Sequence, residues 1–274
     1  MARHMTARVE MLPAQRRALI LETLRDQSAA SIQTLADSLG ASASTVRRDL
    51  EYLTEQGYID RTHGGAVIRR SPTARFEPEA SIAAETFRPQ KEAIAALAAQ
   101  RVAAGQSVLF DAGSTVRAAV RRIAERGVAL TAVTNDLRGA LELIGAPHIH
   151  TIVVGGALRP GTATLTGEPG HHFLAEVHAD IAFVGVHTIS GTIFTETSLE
   201  VAAMKRLMIA AARRVIVLAD SSKFGPPSFC EICGVDRVDE IITDAGATEA
   251  QLRELAAAGV TCTVAREHAP ATEP

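Results

Sequence analysis

The sequence predicts two domains: an amino-terminal winged helix-turn-helix of mixed α and β structure, joined to an α/β domain with a mostly parallel sheet. Three observations predict this organisation. The chain has 274 residues, which is more than one small domain needs. Three helical patterns and a short hairpin occupy residues 13–70. From Lys91 to residue 265, helical patterns alternate with continuous Val, Ile and Leu runs, which are typical of parallel strands covered on both faces.

Composition is that of an ordinary globular protein, and charge is distributed unevenly along it. Residues 1–70 contain ten arginines and no lysine against eight acidic residues, a net charge of +2, whereas the whole chain carries −3. A mildly basic head suits an approach to phosphate. Three cysteines cannot form a disulfide framework, and the apolar runs are too short to cross a bilayer. We therefore expect a cytoplasmic protein without membrane attachment.

The first three helices are each bounded by residues that favour a start or a stop. Pro13 suits the first turn of a helix with apolar residues at helical spacing. Ser31 and Ser42 can cap the second and third helices. Gly40 can end the second, and Gly57 supplies a left-handed stop after a third helix that runs to Gln56. Three helices in this order predict a helix-turn-helix core.

A short hairpin follows the third helix. Residues 58–61 form a strand pattern, Gly64 and Gly65 suit a tight turn, and residues 66–68 form the returning strand. This hairpin is the predicted wing. Residues 71–90 contain three prolines and predict a linker between the domains.

The larger domain is predicted from its alternating patterns. The expected helices and strands are helix 91–103, strand 107–110, helix 115–125, strand 128–133, helix 136–144, strand 149–154, strand 181–186, helix 198–212, strand 214–219, strand 240–243, helix 248–258 and strand 260–264.

The third helix has the pattern of a helix that reads DNA. Val46, Leu50 and Leu53 share one face and are expected to pack inward, which leaves polar residues outside. Arginine can donate two hydrogen bonds to guanine, and hydroxyls near a helix amino terminus can donate to phosphate. The expected DNA contacts are Ser44, Thr45, Arg47 and Arg48 on this helix, and Arg61, His63, Gly64 and Gly65 at the wing. The alternative is a solvated face on which Asp49 and Glu51 pair with the two arginines.

Four polar loops follow strands of the larger domain. Their candidate ligand-binding residues are Asp111, Gly113, Ser114 and Thr115 after the first strand, Asn135 after the second, Gly155 and Gly156 after the third, and Lys223 after a later strand. Ligands of open α/β sheets collect at the carboxyl ends of strands, and helix amino termini attract anions. The loops therefore predict a site for a small anion, although a plain helix cap could also explain Asp111–Thr115.

Three ordered segments resemble the DeoR family of bacterial regulators: Leu35–Gly40, Ser44–Leu50 and Arg61–Ala66. The resemblance continues to about Asp244 and includes Lys91, Glu200 and Lys205. It implies a sensor domain that shares its fold with ribose-5-phosphate isomerase and binds a phosphorylated sugar or related metabolite. It also implies that Asp111 and Gly113–Thr115 serve the phosphate, with Lys223 as its charge partner. Val186–Ser198 departs from the family pattern because it lacks a proline-containing loop.

The resemblance implies a regulator that represses transcription by binding double-stranded operator DNA. A homo-oligomer is expected because one recognition helix contacts few base pairs, and no metal or cofactor is expected. Two alternatives stay open: a sugar-phosphate isomerase-like enzyme with an appended DNA-binding domain, and an architectural DNA binder without a ligand. Cys230 and Cys233 have the spacing of metal ligands, but their apolar surroundings favour buried small side chains.

Overall fold

The structure, a computed structural model, describes residues 11–69 and 79–266 of the chain. Its internal contacts divide the chain into two units with a boundary between Phe87 and Arg88. The first unit contains α1 (Pro13–Gln27), β1 (Ala29–Ser31), α2 (Ile32–Leu39), α3 (Ala43–Glu55), β2 (Ile59–Arg61), β3 (Gly65–Ile68) and α4 (Ala80–Glu85).

The residues predicted to cap and to end the helices of the first unit do so in the structure. Ser31 accepts a hydrogen bond from the amide of Thr34 at 3.0 Å, and Ser42 accepts one from the amide of Thr45 at 3.1 Å. Gly40 has a φ of 59°, in the left-handed region that favours glycine. These caps satisfy amides that the first turn of a helix leaves without a partner.

One apolar core holds the first unit together. Val46, Leu50 and Leu53 of α3 are fully buried, as predicted, and pack with side chains of α1, α2 and β2. The wing has three antiparallel strands in the order β1-β3-β2. The sequence pattern missed β1, because a strand of three residues has no periodicity to detect.

Part of the predicted linker belongs to the first unit. Residues 71–78 lie outside the described residues, but α4 follows them and places Ile82 in the core of this unit. The amide of Glu79 donates to the Tyr58 hydroxyl at 2.5 Å, and the amide of Phe87 donates to Glu22 at 2.5 Å. Of the residues predicted as a linker, 80–85 form α4 and 88–90 begin the next helix.

The second unit alternates strands and helices along most of its length. Its elements are α5 (Arg88–Ala99), β4 (Ser107–Phe110), α6 (Ser114–Glu125), β5 (Leu130–Thr134), α7 (Leu137–Glu142), β6 (Ile149–Val153), β7 (Ala157–Leu158), β8 (Leu165–Thr166), α8 (Gly170–Glu176), β9 (Ala179–Val184), β10 (Thr188–Ser190), β11 (Ile193–Glu196), α9 (Leu199–Ala211), β12 (Ala212–Leu218), β13 (Cys230–Gly234), β14 (Glu240–Asp244), α10 (Glu249–Ala257) and β15 (Thr261–Ala265), with 3-10 turns at Ser221–Lys223 and Val235–Arg237.

Seven parallel strands form the central sheet in the order β15-β14-β12-β9-β4-β5-β6. Apolar clusters cover both of its faces, which confirms the predicted α/β class. The chain adds β5 and β6 on one side of β4, and then places β9, β12, β14 and β15 on the other side. The order therefore reverses between β4 and β9, and open α/β sheets bind ligands at such a point.

Two smaller antiparallel sheets accompany the central one and were not predicted. Val186–Ser198, which departs from the family pattern, forms the hairpin of β10 and β11, and β13 pairs with β11. The strands β7 and β8 form a second, two-stranded sheet. Within residues 11–69 and 79–266, no helix has the length and apolar character that a membrane span requires.

Candidate DNA-binding surface and effector site

The amino-terminal half of α3 presents polar side chains to solvent. Ser44, Arg47 and Arg48 are exposed and Thr45 is half-buried, on the side of α3 opposite its packed leucines. The hydroxyls of Ser44 and Thr45 each lie 2.8 Å from the hydroxyl of the capping residue Ser42. The predicted surface residues of α3 thus share one end of the helix, close to its amides.

The acidic neighbours of these arginines are engaged elsewhere. Asp49 is buried and binds two arginines of α1, with Arg16 at 2.5 Å and Arg17 at 3.0 Å. Glu51 pairs with Arg61 of the wing at 3.2 Å. Within the part of the chain that the structure describes, Arg47 and Arg48 have no ion-pair partner. The alternative in which Asp49 and Glu51 neutralise these two arginines is wrong for this geometry.

The predicted DNA contacts of the wing differ in exposure, since three of them lie on the surface and one is buried. Arg61, His63 and Gly64 are exposed around the turn, which the amide of Thr62 closes by donating to the carbonyl of Gly65 at 3.1 Å. Gly65 itself is buried in β3, where an added Cβ would lie 2.0 Å from the carbonyl oxygen of Ala30. Close packing of β3 on β1 therefore requires this glycine, contrary to its predicted place at the tip.

At the carboxyl end of the central sheet, Asp111 occupies the point where the strand order reverses. It follows β4, its amide donates to Phe183 of β9 at 3.0 Å, and its Oδ2 accepts the amide of Gly185 at 2.9 Å. The side chain is 1% exposed. One carboxylate thus joins the ends of the two strands that flank the predicted ligand crevice.

A buried lysine completes this arrangement. Lys205 of α9 contacts Oδ2 of Asp111, donates to the carbonyl of Gly185 at 2.8 Å and lies 3.6 Å from Glu196 of β11. From the sequence, Lys205 was identified only as a position that matches the family pattern. Neither Lys205 nor Glu196 was among the predicted site residues. Both lie far from Asp111 in sequence, so no local pattern could have placed them beside it.

Burial and neighbouring charges shift the pKa values of this cluster in opposite directions. Burial raises the pKa of Asp111, although the nearby Lys205 opposes this shift. Burial alone would lower the pKa of Lys205, but the two carboxylates raise it above its ordinary value. Burial would likewise raise the pKa of Glu196, which Lys205, the amide of Thr197 and His187 instead hold low. The lysine therefore remains a cation between two acidic side chains.

The helix α6 begins directly beyond Asp111. Gly113 precedes it with φ 158° and ψ 152°, a conformation restricted to glycine, and as the N-cap residue it has no side chain with which to cap the first turn. Ser114 is half-buried and Thr115 is buried at this end. A helix amino terminus carries about half a positive charge on its free amides, so the arrangement suits an anion.

Asn135 lies on the strand next to Asp111. Phe110 and Thr134 are register partners in β4 and β5, so the residues that follow them, Asp111 and Asn135, are neighbours at the sheet edge. Asn135 is fully buried and its amide donates to the carbonyl of Leu165 at 3.2 Å. The Oδ1 atoms of Asp111 and Asn135 are buried without a hydrogen-bond donor among the described residues.

Gly155 and Gly156 have a packing role in the structure. An added Cβ on Gly155 would lie 2.7 Å from Cγ of Pro169, and one on Gly156 would lie 2.6 Å from the carbonyl oxygen of Thr166. Their small size thus admits the segment that leads into α8. The structure explains these two glycines without the ligand contact that was predicted for them.

Lys223 ends a 3-10 turn that follows β12. Asp220 caps this turn by accepting the amide of Ser222 at 3.1 Å. Lys223 is half-buried, and its side chain makes no hydrogen bond or ion pair with the described residues. β12 is separated from β4 by β9 alone, so Lys223 lies at the same edge of the sheet as Asp111.

The cysteines form no metal centre in the described parts of the chain, where no group of three potential ligands from His, Cys, Asp and Glu occurs. Burial raises the pKa of Cys233 to about 11.

Comparison with known proteins identifies the family. The DeoR-like helix-turn-helix domain matches residues 16–71, and the DeoR C terminal sensor domain matches residues 86–245. The HTH-type transcriptional regulator GlpR of Haloferax volcanii is 37% identical over 263 residues, covering 92% of this chain and 97% of that protein. A putative aga operon transcriptional repressor of Escherichia coli O157:H7 is 32% identical over 248 residues, 90% of this chain and 92% of that protein.

Among solved structures, ribose 5-phosphate isomerase A of Methanocaldococcus jannaschii shares 18% identity, with a TM-score of 0.37 over 49% of this chain and 53% of that chain. The two family matches and the relatives, in contrast, extend over both units. The chain is therefore a member of the DeoR family of helix-turn-helix transcriptional regulators.

Proposed function

We propose that this chain is a transcriptional repressor that binds operator DNA through α3 and the wing and is released by a phosphorylated sugar or related metabolite. The observation that carries the sensing part is the uncapped amino terminus of α6 beside Asp111, at the point where the strand order reverses. Repression rather than activation is favoured because the related aga operon protein is named a repressor. The proposed location is the cytoplasm, where DNA and phosphorylated sugars are available.

On DNA, the exposed amino-terminal half of α3 is proposed to enter the major groove. Arg47 and Arg48 are available for bases or phosphates because their acidic neighbours bind other arginines. Ser44 and Thr45 lie where hydroxyls and helix amides can donate to phosphate. Arg61 and His63 at the wing would contact the adjacent backbone.

At the sensor, the phosphate is proposed to bind the first turn of α6, with Ser114, Thr115 and Lys223 supplying further donors. The rest of the ligand would extend toward Asp111 and Asn135. A ligand changes DNA affinity only if it binds the DNA-competent and incompetent states with different affinities. Because one recognition helix contacts few base pairs, we also propose a homo-oligomer that presents paired helices to paired half-sites.

The second candidate is an isomerase-like enzyme with an appended DNA-binding unit. The buried cluster of Asp111, Lys205 and Glu196 favours it, because perturbed pKa values at a crevice are also typical of acid–base catalysis. The two candidates make opposite predictions about turnover, so one experiment separates them.

The test combines a gel-shift assay on the DNA upstream of the gene with product analysis. Each member of a sugar-phosphate panel is added to the protein–DNA complex and, separately, to the protein alone. We expect a specific shift that at least one phosphate ester reverses, with the ester recovered unchanged. Turnover of an ester without any specific DNA shift would reverse this assignment.

A further inference from the structure

One acidic side chain lies on the face of α3 that is proposed to meet DNA. Glu51 follows Arg47 by four residues and Arg48 by three, and side chains at these separations share one side of a helix. Ser44 lies on the same side, seven residues before Glu51, and all four residues are exposed. A carboxylate on this face repels phosphate and lowers the affinity for DNA of any sequence. Glu51 therefore does not serve attraction to the DNA backbone.

Glu51 is bound by the wing and not by its own helix. Nη1 of Arg61 donates to Oε1 of Glu51 at 3.2 Å, which links β2 to α3. The side chains of Arg61 and Glu51 are 36% and 56% exposed, and ion pairs as exposed as this contribute little to stability. Arg47 precedes Glu51 by four residues, which is the less favourable order for an ion pair within a helix. Stability therefore does not account for the contact between wing and helix.

Both members of this ion pair keep atoms available for DNA. Arg61 is the sole hydrogen-bond partner of Glu51 among the described residues, so Oε2 of Glu51 is free to accept from a base. A guanidinium carries five N–H donors, and one of them reaches Glu51. The other donors of Arg61 can bind a phosphate while its charge compensates that of Glu51. The repulsion between the carboxylate and the DNA backbone is therefore reduced where it arises.

The spacing along α3 places Glu51 within reach of base edges. An α-helix rises about 1.5 Å per residue, so Glu51 lies about 6 Å beyond Arg47 along the helix axis. Stacked base pairs are about 3.4 Å apart. If Arg47 contacts one base pair of the major groove, Glu51 therefore lies about one or two base pairs farther along the groove.

The four bases present different groups to a carboxylate in the major groove. Cytosine offers its amino group as a donor, whereas guanine offers two acceptors and thymine offers one acceptor and a methyl group. Adenine offers a donor beside an acceptor. An ionised carboxylate can only accept hydrogen bonds, so cytosine alone presents a donor without an acceptor on the same base. The chemistry of Glu51 thus favours cytosine.

We infer that Glu51 is a specificity-determining residue that accepts a hydrogen bond from a cytosine of the operator, and that Arg61 positions its carboxylate. This inference rests on the proposed function, in which α3 enters the major groove. Glu51 lowers the affinity for duplexes that present guanine or thymine at this position, because their acceptors face its carboxylate. Discrimination against the wrong base is its contribution to DNA binding.

The test selects duplexes with the full chain from a pool whose central segment is randomised, and sequencing gives the base preference at every position. For the unaltered chain, we expect one position of each half-site to prefer cytosine over thymine by about tenfold or more. Glu51→Ala should reduce this preference below about threefold and leave the other positions unchanged. Glu51→Gln should replace cytosine by adenine, because a carboxamide both donates and accepts.

The role of Arg61 is tested by the same base preference. Arg61→Ala should weaken the preference for cytosine, because the carboxylate of Glu51 loses the contact that positions it. Arg61→Lys keeps the positive charge and should restore part of the preference. A residue that only bound phosphate would change the affinity for all duplexes equally and leave the base preference as it was.

Glu55→Gln is the matched control, because Glu55 is exposed on the same side of α3 one turn beyond Glu51. It should leave the selected sequence unchanged, and melting temperatures establish that each variant is folded. If both Glu51 variants selected the original sequence and bound all duplexes more tightly by one common factor, Glu51 would only repel phosphate and the inference would be wrong. If Arg47→Ala and Arg48→Ala also left every base preference unchanged, the proposed entry of α3 into the groove would itself be contradicted.

Discussion

Arg17 donates through Nε to Oδ1 of Asp49 at 3.0 Å and thereby joins α1 to the inner side of α3. Arg16 binds the second oxygen of the same carboxylate at 2.5 Å. The guanidinium of Arg17 also lies 3.6 Å from the centre of the Tyr52 ring. The orientation of α3 is thus fixed from behind by charged contacts, while its outward face stays available for DNA.

Replacing Asp49 by alanine should destabilise the DNA-binding unit. The change leaves Arg16 and Arg17, whose side chains are 12% and 23% exposed, without their acceptor. We expect a loss of roughly 2–3 kcal/mol in the free energy of unfolding. Calorimetry of the full chain measures it, with Asp37→Ala at an exposed position of α2 as the control. An unchanged transition for Asp49→Ala would show that the contact contributes no stability.

Replacing Arg47 or Arg48 by alanine should weaken operator binding without affecting the sensor. Each lost base contact costs about 1–3 kcal/mol, and each lost phosphate contact reduces the salt dependence of binding. Fluorescence anisotropy at several salt concentrations measures both effects. Arg253→Ala on exposed α10 removes the same charge elsewhere and should bind DNA normally. If both α3 variants bound DNA with full affinity, this face of α3 would be excluded as the DNA-binding surface.

Lys223→Ala should weaken the response to the effector without weakening DNA binding, which is the reverse of the effect expected for the two arginine variants. The side chain has no partner among the described residues, so its loss should leave the fold and DNA binding intact. Removal of a compact positive charge should weaken the binding of a phosphate ester. The measurements are the ester concentration that releases DNA and the ester-induced shift in melting temperature. Release at the unaltered concentration would remove Lys223 from the proposed site.

The two glycines of the wing should respond differently to alanine. In Gly65→Ala the new Cβ would meet the carbonyl oxygen of Ala30 at 2.0 Å, whereas a Cβ on Gly64 would meet nothing within 4 Å. We expect Gly65→Ala to destabilise the first unit by about 1–3 kcal/mol, as overpacking does. Gly64→Ala should leave the free energy of unfolding close to that of the unaltered chain. Denaturant titration measures this free energy for both variants. Equal effects of the two changes would contradict the close packing of β3 on β1.

Stability of the second unit should fall in acid partly through Glu240. Burial alone would raise the pKa of Glu240, but Arg101, Thr263 and Arg214 together hold it below its ordinary value of 4.5. A depressed folded-state pKa contributes stability above the unfolded pKa, and this contribution is lost as pH falls below about 4.5.

Glu240→Gln should therefore lower stability near neutral pH and flatten its decline between about pH 5 and pH 3. Denaturant titrations of both proteins across this range measure the two slopes. Glu249→Gln, on an exposed helix turn, serves as the control and should keep the original slope. A decline in Glu240→Gln as steep as in the unaltered chain would assign the acid sensitivity to other groups.

Sequence reasoning succeeded where local chemistry decides the structure. Ser31 and Ser42 cap helices, Gly40 ends one, and the continuous apolar runs form a parallel sheet, because each depends on residues close together in the chain. The same reasoning placed Asp111 at the correct strand end, since parallel strands gather their carboxyl ends at one edge.

Partners distant in sequence could not be predicted in this way. Lys205 lies on α9, a helix that is apolar on most sides, and its carboxylate partner is 94 residues away. Gly155 and Gly156 were predicted to contact a ligand because they follow the carboxyl end of a strand. What approaches them is the chain itself, at Thr166 and Pro169. A pattern shows that space is needed at a position without showing what fills it.

The packing of residues 79–87 within the first unit determines where the DNA-binding domain can be separated from the rest of the chain. Ile82 is 1% exposed in the core that α1 and α3 share, and the hydroxyl of Tyr58 accepts the amide of Glu79. A fragment cut at the end of the wing would carry an open cavity where Ile82 belongs. The smallest piece that folds as an autonomous DNA-binding module should therefore end at Phe87, and fusions to other sensors should be joined there.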